Sequence, residues 1–285
     1  MMPSTEVFAK SLFLCCAIFS AIIILAMLAF MVALGVPLFQ EKPISDILNG
    51  PWAPHRGAYG IRAMIFGTFL IAFLATIICL PLSLGMSFVI SSLGGRRTRR
   101  LLGAIVRFMT GIPTVIYGFV GIFLLVPLIR EGLGGPGMGV LTASIVLAIL
   151  ISPTMILFFT DSLLAVNAAY VQAAKALGAT RVQRLLYVML PGALGGMASG
   201  FILALGRAVG DTLIALMLAG NAVRTPHGFL EPARTLTAHI ALVKAADFDS
   251  MAFRSIFACG ITLYLFTILA TIMVRVVTRE RIAIS

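Results

Sequence analysis

Charge is scarce in this chain. Only 11% of its 285 residues are Asp, Glu, Lys or Arg, against about 25% in a typical soluble domain. Acids are the scarcer sign: 10 Asp and Glu stand against 21 Lys and Arg, a net charge of +11. No basic stripe with interleaved aromatics accompanies that excess, so nucleic acid is not the expected partner. Four cysteines are present, Cys15, Cys16, Cys79 and Cys259. They form no C-x-x-C pair and no disulfide framework, and each reads as a small buried hydrophobe. The three histidines, His55, His227 and His239, have no metal-ligand spacing, so no metal site is expected. No G-x-x-x-x-G-K-[ST] loop occurs, which excludes an ATPase site of that type. Nor does a nucleophile accompany a base at membrane depth, so no catalytic residue is expected.

What the chain has instead is apolar length. Hydrophobic residues make up 60%, and mean hydropathy is +1.10. Six segments reach the roughly 20 apolar residues that a span needs: 11–36, 62–91, 101–129, 138–165, 192–220 and 254–277. Ten-residue alternation is absent, so the spans are helices and not barrel strands. The run from Ser11 to Gly35 is too long for a signal-peptide core and is read as an uncleaved first span. The expected fold is an all-α integral membrane protein with six transmembrane helices in the lipid bilayer. Residues 1–61 would supply the first helix and an outer loop, and 62–280 the core.

Lys and Arg orient that bundle. The segment "GGRRTRR" is short, dense and free of acids. It joins Lys10, Arg107, Lys175, Arg181, Arg184, Arg275, Arg279 and Arg281 on one side. The other side holds basic residues in longer loops, mixed with Glu41, Asp46, Glu131, Glu231, Asp247 and Asp249. The positive-inside rule then puts both termini in the cytoplasm. Two long outer loops, 37–60 and 221–251, mix Pro, Gly, charge and aromatics. They read equally as an ordered binding surface or as solvated connectors.

The loop between spans four and five is not a simple linker. "NAAYVQAAKALGATRVQRLLYVMLPGALGG" offers Asn167 as an N-cap, Gly178 as the residue past a first helix, and Thr180 as a second N-cap. The second helix is expected to end at Leu190, before Pro191. Taken alone, this is an interfacial helical hairpin. Its spacing resembles the EAA loop of ABC importer permeases, through Ala173, Ala174, Gly178, Val188, Leu190 and Pro191. Gln172 stands where that family usually has Glu. The resemblance implies a cytoplasmic coupling loop, about 166–191, whose first helix docks on a separate ATPase.

Further motifs fall in the same order as in one group of these permeases. "NGPWAPHRGAYG", "GIPTVIYGFVGIFLLVPL" and "GRAVGDTLIALMLAGN" look like the PstC-type permease subunits of the phosphate ABC importer. Asp211 replaces the Glu usual in the last motif. The resemblance implies a type I importer permease fold and a path for inorganic phosphate. It also implies a second, PstA-like permease, two PstB-like ATPases and a PstS-like outer binding protein. ATP and Mg would be bound by the ATPase and no cofactor by this chain. The sister PstA-type permease, and permeases for phosphonate, sulfate or molybdate, remain open alternatives.

Arg207 and Asp211 fall inside the apolar run 192–220. A charge at membrane depth costs about 2.5–3.5 kcal/mol on translocon scales. Four apart, the two are expected on one helical face. Either they only neutralise each other, or Arg207 meets the oxyanion with its planar fork and Asp211 holds it. Thr212 belongs to the same candidate pathway. Thr114 and Tyr117, in span three, offer hydroxyls either to the path or to interhelical packing. Gly206 and Gly210 are spaced for close helix contact.

Overall fold

A computed structural model describes residues 4–244 and 250–282. Asp247 and Asp249, counted above among the outer acids, lie outside the described residues. Six helices are long and apolar enough to span a membrane: Phe8–Glu41, Arg62–Leu93, Thr114–Leu133, Val140–Leu164, Arg181–Gly210 and Met251–Val276. They are built from α1 (Ser4–Glu41), α3 (Arg62–Phe88), α5 and α6 (Thr114–Val120, Val126–Leu133), α7 (Val140–Leu164), α9 and α10 (Arg181–Arg184, Leu190–Gly210) and α13 (Met251–Ile282). Three single π turns, Val89–Leu93, Gly121–Leu125 and Leu185–Met189, sit inside or at the ends of these spans.

Burial ranks the helices. The apolar window of α7 is 72% buried within the chain and that of the first span 0%. So α7 is the centre, with α3 and α10 against it, while α1 packs on α13 at the edge. Ile71 and Ala75 of α3, Leu147, Ile151 and Phe159 of α7, and Ala204 of α10 share one core. Close approach of α10 to α7 depends on Gly192, Gly196 and Gly200, one residue per helical turn. A Cβ at Gly200 would lie 2.7 Å from Cβ of Phe158, and one at Gly192 2.9 Å from Cγ2 of Val166. This is small-residue packing, but it falls about two to four turns before the glycines expected to provide it. Gly206 and Gly210 face open space within this chain. The cysteines also divide: Cys79 and Cys259 are buried, whereas Cys15 and Cys16 are exposed on the peripheral α1.

Two spans differ from their expected bounds. In place of one helix over 101–129, α4 (Arg96–Thr110) stops at Gly111, and α5 begins at Thr114 after Pro113. Pro113 has no N–H to extend α4 and biases Ile112 away from helix. Helix α4 is a strongly amphipathic connector that buries Gly103 and Val106 and exposes most of its arginines. In span five, the helix expected over 192–220 ends at Gly210, and a short α11 (Leu213–Leu218) follows. At its other end, Pro191 does not terminate the helix begun at Thr180. The chain runs on from Arg181 to Gly210, with the π turn Leu185–Met189 accommodating Pro191 in the first turn of α10.

Both long loops are ordered where described. The first holds α2 (Ile44–Asn49) and an antiparallel hairpin of β1 (Trp52–Ala53) and β2 (Ala58–Tyr59), with Trp52 opposite Tyr59. The second lies over the start of α7. Carbonyls of Leu218, Glu231 and Phe229 accept from the amides of Gly139, Val140 and Leu141 at 2.9, 3.0 and 2.7 Å. Helical N–H groups that would otherwise be orphaned are thereby satisfied. Its helix α12 (Leu236–Val243) is anchored where Thr68 accepts from the Leu236 amide at 2.8 Å.

Candidate functional site

The break after Gly210 changes what Asp211 does. Its backbone is extended, at φ −72° and ψ 131°. Its carboxylate Oδ2 accepts from the Ile214 amide at 2.8 Å and so caps α11. Its carbonyl accepts from the Thr237 hydroxyl at 2.8 Å. A broken helix at membrane depth must have its freed backbone groups satisfied by neighbouring side chains. Asp211 and Thr237 do that here. Thr212 stands beside the break as the residue preceding α11.

Arg207 is therefore not paired with Asp211. Its Nη1 donates instead to Thr154 Oγ1, on α7, at 2.9 Å. The expected face-sharing pair fails because the helix ends one residue before Asp211. Arg207 remains exposed on the surface of the single chain, in the last turn of α10. That position also favours a cation, through the carbonyl dipoles of the helix end. The guanidinium still lies within electrostatic reach of both Asp211 and Tyr117. Tyr117 itself donates to the Met109 carbonyl at 3.1 Å, which ties α5 back to α4. Thr114 is the first residue of α5, half-buried at the same helix junction. Thr154 was not singled out from sequence, since one of several hydroxyls in the most buried span gives no signal until α10 is laid against it.

The second candidate region is the loop 166–190. Asn167 Oδ1 accepts from the Ala169 amide at 2.9 Å and starts α8 (Ala168–Ala176). Gly178, at φ +84°, ends it. The Ala179 amide reaches the Ala174 carbonyl and the Gly178 amide the Lys175 carbonyl, both at 3.0 Å. This is a Schellman motif, which needs the left-handed residue that only glycine supplies without strain. Thr180 and Gln183 then form a reciprocal capping box that starts α9. No residue of α8 is buried. Gln172 and Ala173 are exposed and Ala174 half-buried. Leu177 is 88% exposed and Tyr187 77%. These two apolar residues enlarge the uncovered face beyond the residues expected from spacing. Leu190 and Pro191 are not part of that face; they begin α10 inside span five.

Six apolar spans, a capped two-helix loop between the last but one pair, and a broken fifth span define a membrane transport subunit of importer type. The chain belongs to the family described as "Binding-protein-dependent transport system inner membrane component", whose pattern it matches over residues 80–282. It is thus a multi-pass inner-membrane permease component. It is 31% identical over 245 residues to the phosphate transport system permease protein PstC of Pasteurella multocida, covering 79% of this chain and 77% of that one. It is 28% identical over 286 residues to a probable ABC transporter permease protein, YqgH, of Bacillus subtilis, covering 97% and 92%. Among solved structures, a bacterial alginate ABC transporter matches with TM-score 0.65 at 15% identity, over 97% of this chain and 96% of that one. The MetNI methionine ABC transporter matches with TM-score 0.58 at 21% identity, over 76% and 95%. Both share the fold.

Proposed function

We infer that the chain is the permease subunit that carries inorganic phosphate inward in an ATP-driven importer. The observation that carries this is Arg207: a guanidinium at membrane depth, held by Thr154 and in no ion pair among the described residues. Relatives named for phosphate transport support the choice of anion. Arg offers a planar fork of donors to a tetrahedral oxyanion, and intramembrane charges mark substrate routes. Thr114, Tyr117 and Thr212 are assigned to the same path. Asp211 contributes from the break, where its carboxylate fixes α11 and tempers the field of Arg207. Tempering matters, because an ion bound too firmly would not leave.

The loop 166–190 is assigned the coupling role, with Gln172, Ala173, Ala174 and Gly178 at the ATPase contact and Leu190 and Pro191 passing its motion into span five. Its end of the bundle is placed in the cytoplasm, with both termini. Two ATPase subunits, which bind ATP and Mg, a second permease subunit and an outer phosphate-binding protein complete the machine. The test is phosphate uptake per assembled complex. Arg207→Gln is expected to lower it about a hundredfold and Arg207→Lys about tenfold, since an ammonium lacks the fork. Normal uptake by Arg207→Gln would refute the assignment.

A further inference from the structure

A cavity beside the α8 loop is lined by neither Arg207 nor Asp211. It measures ≈ 800 Å³ and lies between the end of α3, the start of α4, the end of α7, and α8 and α9. Arg96, Arg99, Arg181 and Arg184 line it, and no acid does. Arg99 is already committed: its Nε donates to the Ile90 carbonyl at 2.6 Å, and its Nη2 to the Ser91 carbonyl. That clamps the π turn Val89–Leu93 and fixes the cavity wall. Arg96, Arg181 and Arg184 form no ion pair among the described residues. The floor is apolar and rigid, with Leu163 fully buried and Met189 nearly so. The start of α4 opens into the same space, with Gly95 at its N-cap and no side-chain cap. Its first amides are therefore free to donate.

We propose that this cavity is a binding site for a phosphate-class anion, separate from the transport path. Three unpaired guanidiniums converging on one recess repel each other, and an anion relieves that repulsion. Arg forks and free helix amides both match phosphate oxygens. The recess sits where spans two and four end, at headgroup depth, and basic pockets between membrane helices at that level suit anionic lipid. Free phosphate inside the cell has the same chemistry. A bound anion would bridge α4 to α9, and so join the segment after span two to the coupling loop. This placement rests on the α8 end facing inward, not on the role of Arg207.

The test uses the assembled complex without its outer binding protein. In phosphatidylcholine nanodiscs it is titrated with radiolabelled inorganic phosphate. In detergent it is exposed to phosphatidylglycerol vesicles, and retained lipid is read by native mass spectrometry. One probe at least is expected to be retained. Retention should fall about tenfold or more in the triple variant Arg96→Gln, Arg181→Gln, Arg184→Gln, and less in the matching triple Lys variant. Phosphate retention identifies the soluble source; phosphatidylglycerol retention alone identifies the lipid. If the triple Gln variant does not assemble, Arg96→Gln and Arg184→Gln alone, each expected to weaken retention about threefold, decide the matter. The titrations are repeated in the Arg207→Gln background, where the path residue is removed, so that retention at the recess registers separately from the transport assignment. Retention of neither probe, which would leave a carboxylate of the ATPase as the occupant, overturns the proposal. So does retention that survives the Gln substitutions, or that is lost only with Arg207.

Discussion

At the hairpin end of the bundle, the 221–235 segment gives its carbonyls to the amides that open α7, Thr68 holds α12, and Thr237 closes the break at Asp211. At the opposite end, α8 keeps no residue buried, Leu177 and Tyr187 are exposed, and four arginines line a recess without an acid. The first end pairs the backbone groups that open α7 and α12 within one chain, while His239 and Asn221 Oδ1 stay buried there without a hydrogen-bond partner among the described residues. The second is complete only when something else covers it. Uncovered apolar side chains such as Leu177 and Tyr187 thus set the α8 end apart from the hairpin end, because their exposure has a cost that the isolated chain leaves standing.

The contrast can be broken most forcefully at Gly178. A Cβ there meets open space but the φ of +84° disfavours any other residue. Gly178→Asp is expected to abolish uptake and weaken ATPase binding while the amount of permease in the membrane stays normal. Uptake at the wild-type rate would mean that the α8 end does not couple.

At the hairpin end the sharpest probe is pH. His239 is fully buried with its ring edge-on to Trp52, centroids 4.3 Å apart, and neither ring nitrogen has a hydrogen-bond partner. Burial, and then the nearby Arg234 charge, push its pKa down to about 4 from the usual 6.5. The folded state therefore holds His239 neutral. Its contribution is fully present above about pH 6.5, is lost as the pH falls toward 4, and is constant below. The loss amounts to about 3 kcal/mol. Unfolding of the wild type, compared with His239→Phe across that window, should show the difference; parallel pH profiles would refute it.

A smaller effect separates capping from charge pairing. Asp211→Ala strands the Ile214 amide and should cost about 1–2 kcal/mol. Adding Arg207→Leu should not restore stability, because the two side chains have different partners. Recovery in the double variant would reinstate the mutual pair. The mildest change, Thr180→Ala, removes half of the capping box at the α8 end and should cost about 1 kcal/mol, seen as faster amide exchange over 181–184. An exchange rate unaltered by the substitution would show that the box adds nothing to the order of that loop.

The six spans were legible because about 20 apolar residues in a row have few other destinations. The helix–turn–helix of the loop between spans four and five was legible because Asn167, Gly178 and Thr180 act through their own backbone, so local sequence carries the whole effect. The helix breaks were not. Hydropathy averages across them, and proline is a poor guide at membrane depth. Pro37, Pro81 and Pro153 lie inside continuous helices, whereas Pro113 opens one. At the Asp211 break the stabilising partner is remote in sequence: Thr237 serves Asp211 from 26 positions away. The partner of Arg207 was hidden for the same reason, 53 positions distant on α7.

The uninterrupted run from Arg181 to Gly210 has a mechanical consequence. At about 1.5 Å per residue, some 39 Å of stiff rod separates the cap at Thr180 from the guanidinium at Arg207. Were the Asp211 break a pivot, that rod would be a lever with its long arm at the α8 loop. Swinging it by about 5° carries the loop some 3 Å sideways while Arg207, beside the fulcrum, hardly translates. What reaches Arg207 is rotation. Such a rotation would turn the guanidinium away from Thr154, its partner here, with little displacement of its root.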